Sequence, residues 1–296
     1  WVADGVDVHL AVHAVPAGQA RAAGARDVRV CGPVTDPLFG PCDARERNRA
    51  RARFGLPHDA ALALLVAGSW GVGPVRKVAR ELRGCGAAVP VVVCGRNEAL
   101  ARQLRADGIE YAYGWVDDMP GLMHAADVLV QNAGGLTSLE AFAAGLPVAS
   151  YRCIPGHGLT NAAALDEAGV AAWIRDPADL KGVLCDLVDG PLGLRQREAG
   201  LALFIQSSDD GPAAEIARVH RSGLPPQPQS PVARRRSGPR SLAVTTAAAC
   251  AVWACAVGTG FATTYDGHAL MHTLGHDLDL DSFAPGNDHA PEGHHL

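Results

Sequence analysis

Short apolar runs alternate with segments of helical periodicity between residues 61 and 175 of the chain. The runs predict strands at Ala61–Ala67, Val89–Cys94, Ile109–Tyr113, Asp127–Gln131, Val148–Tyr151 and Ala171–Ile174. Because the runs are continuous rather than alternating and are separated by helices, they predict parallel strands that are covered on both faces. The predicted fold class is α/β with a doubly wound parallel sheet. Ligands of such sheets bind at the carboxyl ends of the strands, where the strand order reverses.

The residues before this sheet predict a small α/β unit and an arginine-rich helix. Val6–His13 and Val28–Gly32 are strand-like, and Pro16–Ala23 between them is helical. Ala44–Phe54 is a helix rich in arginine, and a charge run of this size is more typical of a solvated helix face than of a membrane-binding patch. The chain starts at Trp1 rather than Met, so we expect a piece of a longer protein.

The residues after the sheet predict two closing helices and then a change of composition. The helices are expected at Pro177–Asp189 and Pro212–Arg221, followed by a linker rich in proline and arginine at 224–240. Residues 241–265 carry no charge, and a helix of that length, at about 1.5 Å per residue, is long enough to cross a hydrocarbon core of about 30 Å. A transmembrane helix is therefore predicted at 241–265, with a buried soluble helix as the alternative. The histidine-rich tail at 266–296 is expected to be disordered.

Two adjacent glycines follow the predicted strand Asp127–Gln131. Gly134 and Gly135 directly precede a predicted helix, Leu136–Ala144. The first N–H groups of a helix lack partners within it and carry a partial positive charge. A glycine turn at this point lets a diphosphate approach those N–H groups without a Cβ in the way.

Polar side chains in the first turns of this helix extend the same interpretation. Thr137 and Ser138 supply hydroxyl donors, and a carboxylate at Glu140 can accept hydrogen bonds from both hydroxyls of a ribose. The spacing GGxTxxE therefore suits a nucleoside diphosphate. The alternative is a capping box, in which Thr137 is the N-cap and Glu140 follows three residues later.

Two further turns are expected at the same edge of the sheet. The first, GSWGVG at 68–73, follows a strand and precedes a helix, so Gly68, Ser69 and Gly71 are candidate ligand contacts. The alternative is a tight turn that binds nothing. Arg96, in the turn after the next strand, is either a nucleotide contact or an exposed turn residue.

The overall charge and the cysteines narrow the class of function. The net charge is −5 and the pI is near 6.2, which gives no electrostatic reason to expect binding to nucleic acid. Eight cysteines occur without a CxxC pair, several of them in apolar strand-like runs. We therefore expect reduced cysteines of a cytosolic domain rather than a disulfide framework.

Five segments in one consistent order resemble a known family of glycosyltransferases. They are WVDDMP at 115–120, AADVLV at 125–130, GGLTSLE at 134–140, AAGLPV at 143–148 and PGHGLTNA at 155–162. The pattern resembles the nucleotide-sugar half of the monogalactosyldiacylglycerol synthases and is similar to the processive diacylglycerol glucosyltransferases and the GlcNAc transferase of peptidoglycan synthesis. The resemblance implies a GT-B fold. Residues 61–223 would be its nucleotide-sugar-binding domain, 1–32 a remnant of the N-terminal acceptor-binding Rossmann domain, and 33–60 a linker.

The resemblance also implies roles for the residues of the nucleotide site. Gly134, Gly135 and Thr137 would bind the diphosphate and Glu140 the ribose. Main-chain groups near Val116 would pair with uracil. The alternative for that loop is an ordinary connection in which Asp118 caps the next helix.

The chain departs from the family where a donor sugar is expected. His157 and Gly158 stand where family members commonly have a Gln-Glu or Gln-Gln pair, and Asn132 stands where lipid-galactosyl enzymes often have lysine. An altered sugar preference and the loss of a positive charge beside the diphosphate are therefore expected. His157 would still contact the sugar. Asn161 would contact a sugar hydroxyl or fix the loop, with a helix N-cap as the alternative.

By resemblance, the intact protein is a UDP-sugar-dependent hexosyltransferase that inverts the anomeric carbon and uses a lipid acceptor, either diacylglycerol or a polyprenol-linked lipid. No cofactor and no metal in the donor site are expected, and the catalytic base is expected to lie outside this chain. The catalytic domain is predicted to be cytoplasmic and membrane-associated. One alternative is a UDP-GlcNAc 2-epimerase, although the set of acid and base side chains it would need is not evident. Another is a catalytically inactive module that binds nucleotide sugars.

Overall fold

Eight strands and ten α-helices alternate along the part of the chain that the computed structural model describes, namely residues 2–3, 5–205 and 211–221. The strands are β1 (His9–Ala11), β2 (Val28–Val30), β3 (Leu62–Val66), β4 (Val89–Val93), β5 (Tyr111–Tyr113), β6 (Val128–Gln131), β7 (Val148–Tyr151) and β8 (Ala172–Ile174). The helices are α1 (Ala14–Ala22), α2 (Ala44–Phe54), α3 (Val75–Cys85), α4 (Glu98–Ala106), α5 (Met119–Ala125), α6 (Leu136–Ala143), α7 (His157–Glu167), α8 (Leu180–Asp189), α9 (Pro191–Ile205) and α10 (Pro212–Arg221). Short 3-10 turns at Pro37–Phe39 and Pro177–Asp179 precede α2 and α8.

The main sheet contains six parallel strands in the order β5-β4-β3-β6-β7-β8. Successive strand residues face opposite sides, so Ala63 and Leu65 pack with α3, α4 and α8, while Leu62 and Leu64 pack with α5 and α6. Both faces are therefore buried, which explains why the strands are continuously apolar. The prediction of an α/β fold with a doubly covered parallel sheet is confirmed.

The strand order reverses between β3 and β6. From β3 the chain continues outward through β4 to β5, and it then returns to place β6 on the other side of β3. The loops that follow β3 and β6 therefore leave neighbouring strand ends in different directions and open a crevice between them. The glycine segment at 68–73 and the Gly134–Gly135 turn are these two loops.

The first 32 residues pair β1 with β2 in a separate two-stranded parallel sheet, against which α1 packs. Helix α2 then packs beside α5. The expectation that the arginines of α2 form a solvated face is wrong for Arg51, which is 4% exposed and donates at 2.7 Å to Asp127 at the start of β6. The cationic side chain is buried because a carboxylate and several carbonyl oxygens accept its hydrogen bonds.

Two other predictions about the flanking segments can be compared with the structure. The closing segment Pro177–Asp189 is a 3-10 turn followed by α8, and α10 has the predicted bounds. Helix α9, between them, was not predicted. The predicted linker at 224–240, transmembrane helix at 241–265 and disordered tail at 266–296 lie outside the described residues. None of the described helices combines the length and the apolar character that crossing a bilayer would require.

Candidate functional site

The turn between β6 and α6 is hydrogen-bonded to a buried side-chain amide. Gln131, the last residue of β6, is 3% exposed, and its Oε1 accepts a short hydrogen bond from the N–H of Gly134. Its Nε2 donates to Ser150 Oγ on β7 at 2.9 Å. Gln131 was not singled out from the sequence, although an amide that ends an otherwise apolar strand is a signal that the strand carries a loop-supporting group.

A residue of α7 also forms hydrogen bonds with this turn. Asn161 donates from Nδ2 to the carbonyl oxygens of Ala133 and Gly134, each at 2.9 Å. Asn161 lies inside α7, so its interpretation as a helix N-cap is wrong and its interpretation as a loop-fixing residue is confirmed. Gly134 has φ +67°, and a Cβ there would lie 2.8 Å from Asn161 Cβ. Only glycine fits this turn, because both the backbone and the neighbouring side chain exclude a larger residue.

Helix α6 begins without a side-chain cap. Its N-cap is Gly135, so the capping box of Thr137 with Glu140 is wrong. No acceptor among the described residues takes a hydrogen bond from the N–H of Leu136 or of Thr137. A Cβ at Gly135 would meet nothing within 4 Å. The helix start thus presents unpaired donors beside open space, which is the arrangement that binds anions.

Two polar side chains of α6 lack partners as well. Ser138 is 1% exposed, and its Oγ has no hydrogen-bond partner within the described structure. Glu140, one turn further, is half-buried, and no described residue donates a hydrogen bond to its carboxylate. Burial raises the pKa of Glu140 above its usual value, because desolvation disfavours the charged form. A ligand that donates hydroxyl groups to this carboxylate would offset that cost.

Asn132 connects three loops at the crevice. Its Nδ2 donates to the Val72 carbonyl oxygen at 2.8 Å, and its main-chain carbonyl oxygen accepts from the Ile154 N–H at 2.9 Å. Gly73 approaches the Asn132 side chain so closely that a Cβ at Gly73 would overlap it. Asn132 was noted from the sequence as the loss of a positive charge. The structure shows in addition that Asn132, through its side-chain amide and its main-chain carbonyl group, connects the loops after β3, β6 and β7.

The glycine loop after β3 contains both exposed and buried candidates. Gly68 and Ser69 are exposed, whereas Gly71 is buried, with its Cβ position 2.7 Å from Leu100 Cδ2 and 3.2 Å from the Cys94 carbonyl oxygen. Close packing against α4 and the end of β4 is thus enough to require glycine at 71. Gly68 and Ser69 face solvent at the edge where a ligand is expected.

The segment expected to contact a sugar forms the loop after β7 and the start of α7. His157 is the first residue of α7 and is exposed. Gly158 is buried, and a Cβ there would lie 2.7 Å from both the Asn132 carbonyl oxygen and Ile154 Cγ1. The glycine that replaces the second polar residue of the family pair therefore has a steric cause, since the loop packs too closely to admit a side chain.

Val116 lies after β5, at the far edge of the sheet. It is half-buried and packs against the core under α5, and Asp118 caps that helix by accepting from the Gly121 N–H at 3.0 Å. Three strand spacings, about 14 Å, separate β5 from β6. Val116 and the Gly134–Gly135 turn therefore do not contact the same atom of a ligand. The two segments lie at separate places along the carboxyl edge of the sheet.

A family match covers these loops. Residues 72–189 match the family described as glycosyl transferases group 1. The matched range contains every candidate site residue except Gly68, Ser69 and Gly71, which directly precede it.

Curated proteins similar to this chain include processive diacylglycerol β-glucosyltransferases. The protein of Bacillus mycoides strain KBAB4 is 31% identical over 135 residues, which are 43% of this chain and 34% of the relative. That of Bacillus cereus strain G9842 is 30% identical over the same shares. The resemblance drawn from the sequence is confirmed. The chain spans about a third of the length of these relatives.

Solved structures of glycosyltransferases share the fold of this domain. A glycosyltransferase of Rickettsia africae is 13% identical, with a TM-score of 0.51 over 66% of this chain and 56% of the other. Anabaena HepE, determined in complex with UDP, is 16% identical, with a TM-score of 0.50 over 72% of this chain and 63% of the other. At these identities the likeness concerns the fold, and it agrees with the GT-B glycosyltransferase architecture expected from the sequence.

Proposed function

We propose that this domain binds a UDP-sugar and that the intact protein transfers the hexose, with inversion, to a lipid acceptor such as diacylglycerol. One observation carries the donor part of the proposal. The start of α6 presents the unpaired N–H groups of Leu136 and Thr137 one turn before the unpartnered carboxylate of Glu140. Donors for a diphosphate and an acceptor for a ribose thus lie on one short helix.

The acceptor part of the proposal is supported by the relatives. The named relatives are diacylglycerol glucosyltransferases, and the Anabaena structure was determined with UDP. A polyprenol-linked acceptor is the alternative lipid. Association with a membrane follows from a lipid substrate and is part of the same proposal.

The roles of the site residues follow from their positions. Gly134, Gly135 and Thr137 bind the diphosphate and Glu140 the ribose, while Ser138 adds a hydroxyl beside them. Main-chain groups at Val116 contact the base.

The remaining candidates lie around the crevice. Gly68, Ser69 and Gly71 border it from the β3 side. His157 contacts the sugar, and Asn161, whose amide is engaged with the turn, acts on the sugar through the turn it fixes.

The chemical contribution of the domain is to stabilise the leaving group. As the bond between the anomeric carbon and the diphosphate breaks, negative charge grows on the diphosphate. Fixed N–H donors at a helix start stabilise that charge without reorganisation. The base that activates the acceptor hydroxyl is assigned to no residue of this chain.

Calorimetry on the 296-residue chain tests the proposal. We expect binding of UDP, weaker binding of ADP, and different affinities for UDP-glucose and UDP-galactose. Equal affinity for UDP and both UDP-sugars would favour an inactive binding module, and no binding of UDP would contradict the proposal. We also expect no sugar transfer by this chain to diacylglycerol in vesicles, and transfer would show that a base is present.

A further inference from the structure

Two tryptophans stand exposed on either side of one arginine at the carboxyl edge of the sheet. The Cζ of Arg96 lies 5.8 Å from the ring centroid of Trp70 and 5.1 Å from that of Trp115. Trp70 is 62% exposed and Trp115 is 52% exposed. The three residues, called here the aromatic clamp, come from the loops after β3, β4 and β5.

The main chain fixes the arginine beside the glycine loop. The Arg96 N–H donates to the Ser69 carbonyl oxygen at 2.8 Å. Gly95 has φ +60° and lies so close to Ser69 that a Cβ would overlap its carbonyl oxygen. The backbone of Arg96 is therefore part of the glycine loop's packing, and its side chain is free to extend toward the loop after β5.

The other end of the clamp is fixed as well. Trp115 Nε1 donates to Asp117 Oδ1 at 2.8 Å, which sets the orientation of the indole in the loop that carries Val116. None of the described carboxylates forms an ion pair with Arg96. The indole faces are thus the main partners of this guanidinium, in the geometry of two cation–π contacts.

A continuous set of contacts runs from the clamp to the diphosphate end of the site. Trp70 is two residues from Val72, whose carbonyl oxygen accepts from Asn132 Nδ2 at 2.8 Å. Asn132 in turn lies two residues before Gly134. The loop after β5, which carries Trp115 and Val116, is called here the base loop. The contacts join this base loop, through Arg96 and the glycine loop at 68–73, to the turn at the start of α6.

We propose that Arg96 is a positioning residue that couples the base loop to the glycine loop, so that the base and the diphosphate of one nucleotide bind cooperatively. The inference rests on the proposed function, since it names how two parts of the same site act together. Without the guanidinium, the two exposed indoles lose the group that joins them. Each loop can then still bind its own part of the nucleotide, but the two loops no longer order each other.

The test measures the dissociation constants of UDP, uridine and inorganic pyrophosphate for the wild type and for Arg96→Ala, Arg96→Lys and Arg102→Ala. Arg102 is an exposed residue of α4 and serves as the matched control. A cation–π contact at an exposed site is worth a factor of about two to five in an equilibrium constant, so losing two of them should weaken UDP binding by about 4- to 25-fold. Uridine and pyrophosphate should change by less than about twofold, and Arg96→Lys should retain part of the UDP affinity.

The outcomes distinguish a failure of the proposed function from a failure of the proposed coupling by Arg96. If the wild type does not bind UDP, the proposed function fails. If it binds UDP and Arg96→Ala behaves like Arg102→Ala, the coupling fails while the proposed function stands. An equal loss of affinity for uridine and for UDP would also overturn the coupling, because it would make Arg96 a simple contact of the base. Thermal unfolding of each variant, with Arg96→Lys as the milder change, separates a loss of fold from a loss of coupling.

Discussion

Asn161 donates a 2.9 Å hydrogen bond to the carbonyl oxygen of Gly134, from a helix that begins more than twenty residues later in the chain. The bond fixes the turn from which α6 starts. The conformation of the loop after β6 therefore depends on the segment that follows β7. The stability of the site and its affinity for a ligand should therefore respond together to changes at Asn161.

Replacing Asn161 with alanine tests this dependence. The variant removes both donors to Ala133 and Gly134, which should lower the free energy of unfolding by about 1–3 kcal/mol and weaken UDP binding. Urea denaturation and calorimetry measure the two effects. Thr160→Ala, an exposed neighbour on the same helix, should stay within about 0.5 kcal/mol of the wild type. Unchanged stability and affinity in Asn161→Ala would contradict the role of the bond.

The two glycines of the turn should differ in what they contribute. Gly134→Ala places a Cβ against Asn161 at φ +67°, so we expect a loss of about 2 kcal/mol or more in the free energy of unfolding. Gly135→Ala meets no neighbouring atom and should cost less stability. It should nevertheless weaken UDP binding, because its Cβ would stand where the diphosphate approaches. Chemical denaturation and UDP titration of both variants check the contrast, and equal behaviour of the two would argue against it.

An ion pair at the start of the loop after β7 should make the free energy of unfolding depend on pH. Arg152 follows β7 with φ +46°, the one described non-glycine residue with a left-handed backbone. Its guanidinium binds both carboxylate oxygens of Glu81, at 2.6 and 2.5 Å, and Tyr151 donates to the same carboxylate. Burial alone would raise the pKa of Glu81, but the hydrogen bonds from Arg152 and Tyr151 outweigh it and lower that pKa below its usual value.

Because the pKa of Glu81 is lower in the folded than in the unfolded chain, its stabilisation is present above the unfolded value of about 4.3 and is lost as the pH falls through the folded value. Glu81→Gln should therefore destabilise the protein at pH 7, by about 1–3 kcal/mol. At a pH of about 3 the difference from the wild type should shrink. Urea denaturation at both pH values measures it, and a difference that does not change with pH would exclude this ion pair as the cause.

The buried pair of Arg51 and Asp127 should be a large contribution to stability. Asp127 also accepts from the Leu62 N–H at 2.7 Å, so one carboxylate joins α2, β3 and β6. Asp127→Asn leaves a buried guanidinium without its counter-ion and should cost about 3–5 kcal/mol. Arg49, on the same helix, forms only a long surface pair with Glu46, and Arg49→Gln should change stability by less than about 0.5 kcal/mol. Similar midpoints of denaturation for the two variants would contradict the prediction.

The sequence predicted those parts of the fold that are decided locally. Apolar runs located all six strands of the main sheet, and the glycines at 134 and 135 located the turn before α6 to within a residue. Helix α9 was missed because it packs against both α6 and α8, which leaves no single apolar face for a pattern to show. The predicted bounds of β7 match the structure, and the other five strands of the main sheet were predicted one or two residues too long.

The supporting residues of the site could not be predicted in the same way. Asn132 bonds to a carbonyl oxygen 60 positions earlier, and Arg51 bonds to a carboxylate 76 positions later. Neither pair has a spacing that a periodic pattern reveals. Thr137 and Glu140 fit a capping box by spacing, but the glycine turn starts the helix two residues too early for Thr137 to be its N-cap.

Glu140 is the residue on which the nucleotide interpretation depends most directly. The decisive measurement is the dissociation constant of UDP for Glu140→Ala beside the wild type, with Glu198→Ala, an exposed glutamate of α9, as the control. Hydrogen bonds to a charged acceptor are worth about 1.5–3 kcal/mol, so Glu140→Ala should bind UDP about 10- to 150-fold more weakly while Glu198→Ala matches the wild type. An unchanged dissociation constant in a folded Glu140→Ala variant would contradict the assignment of α6 to a bound nucleoside diphosphate.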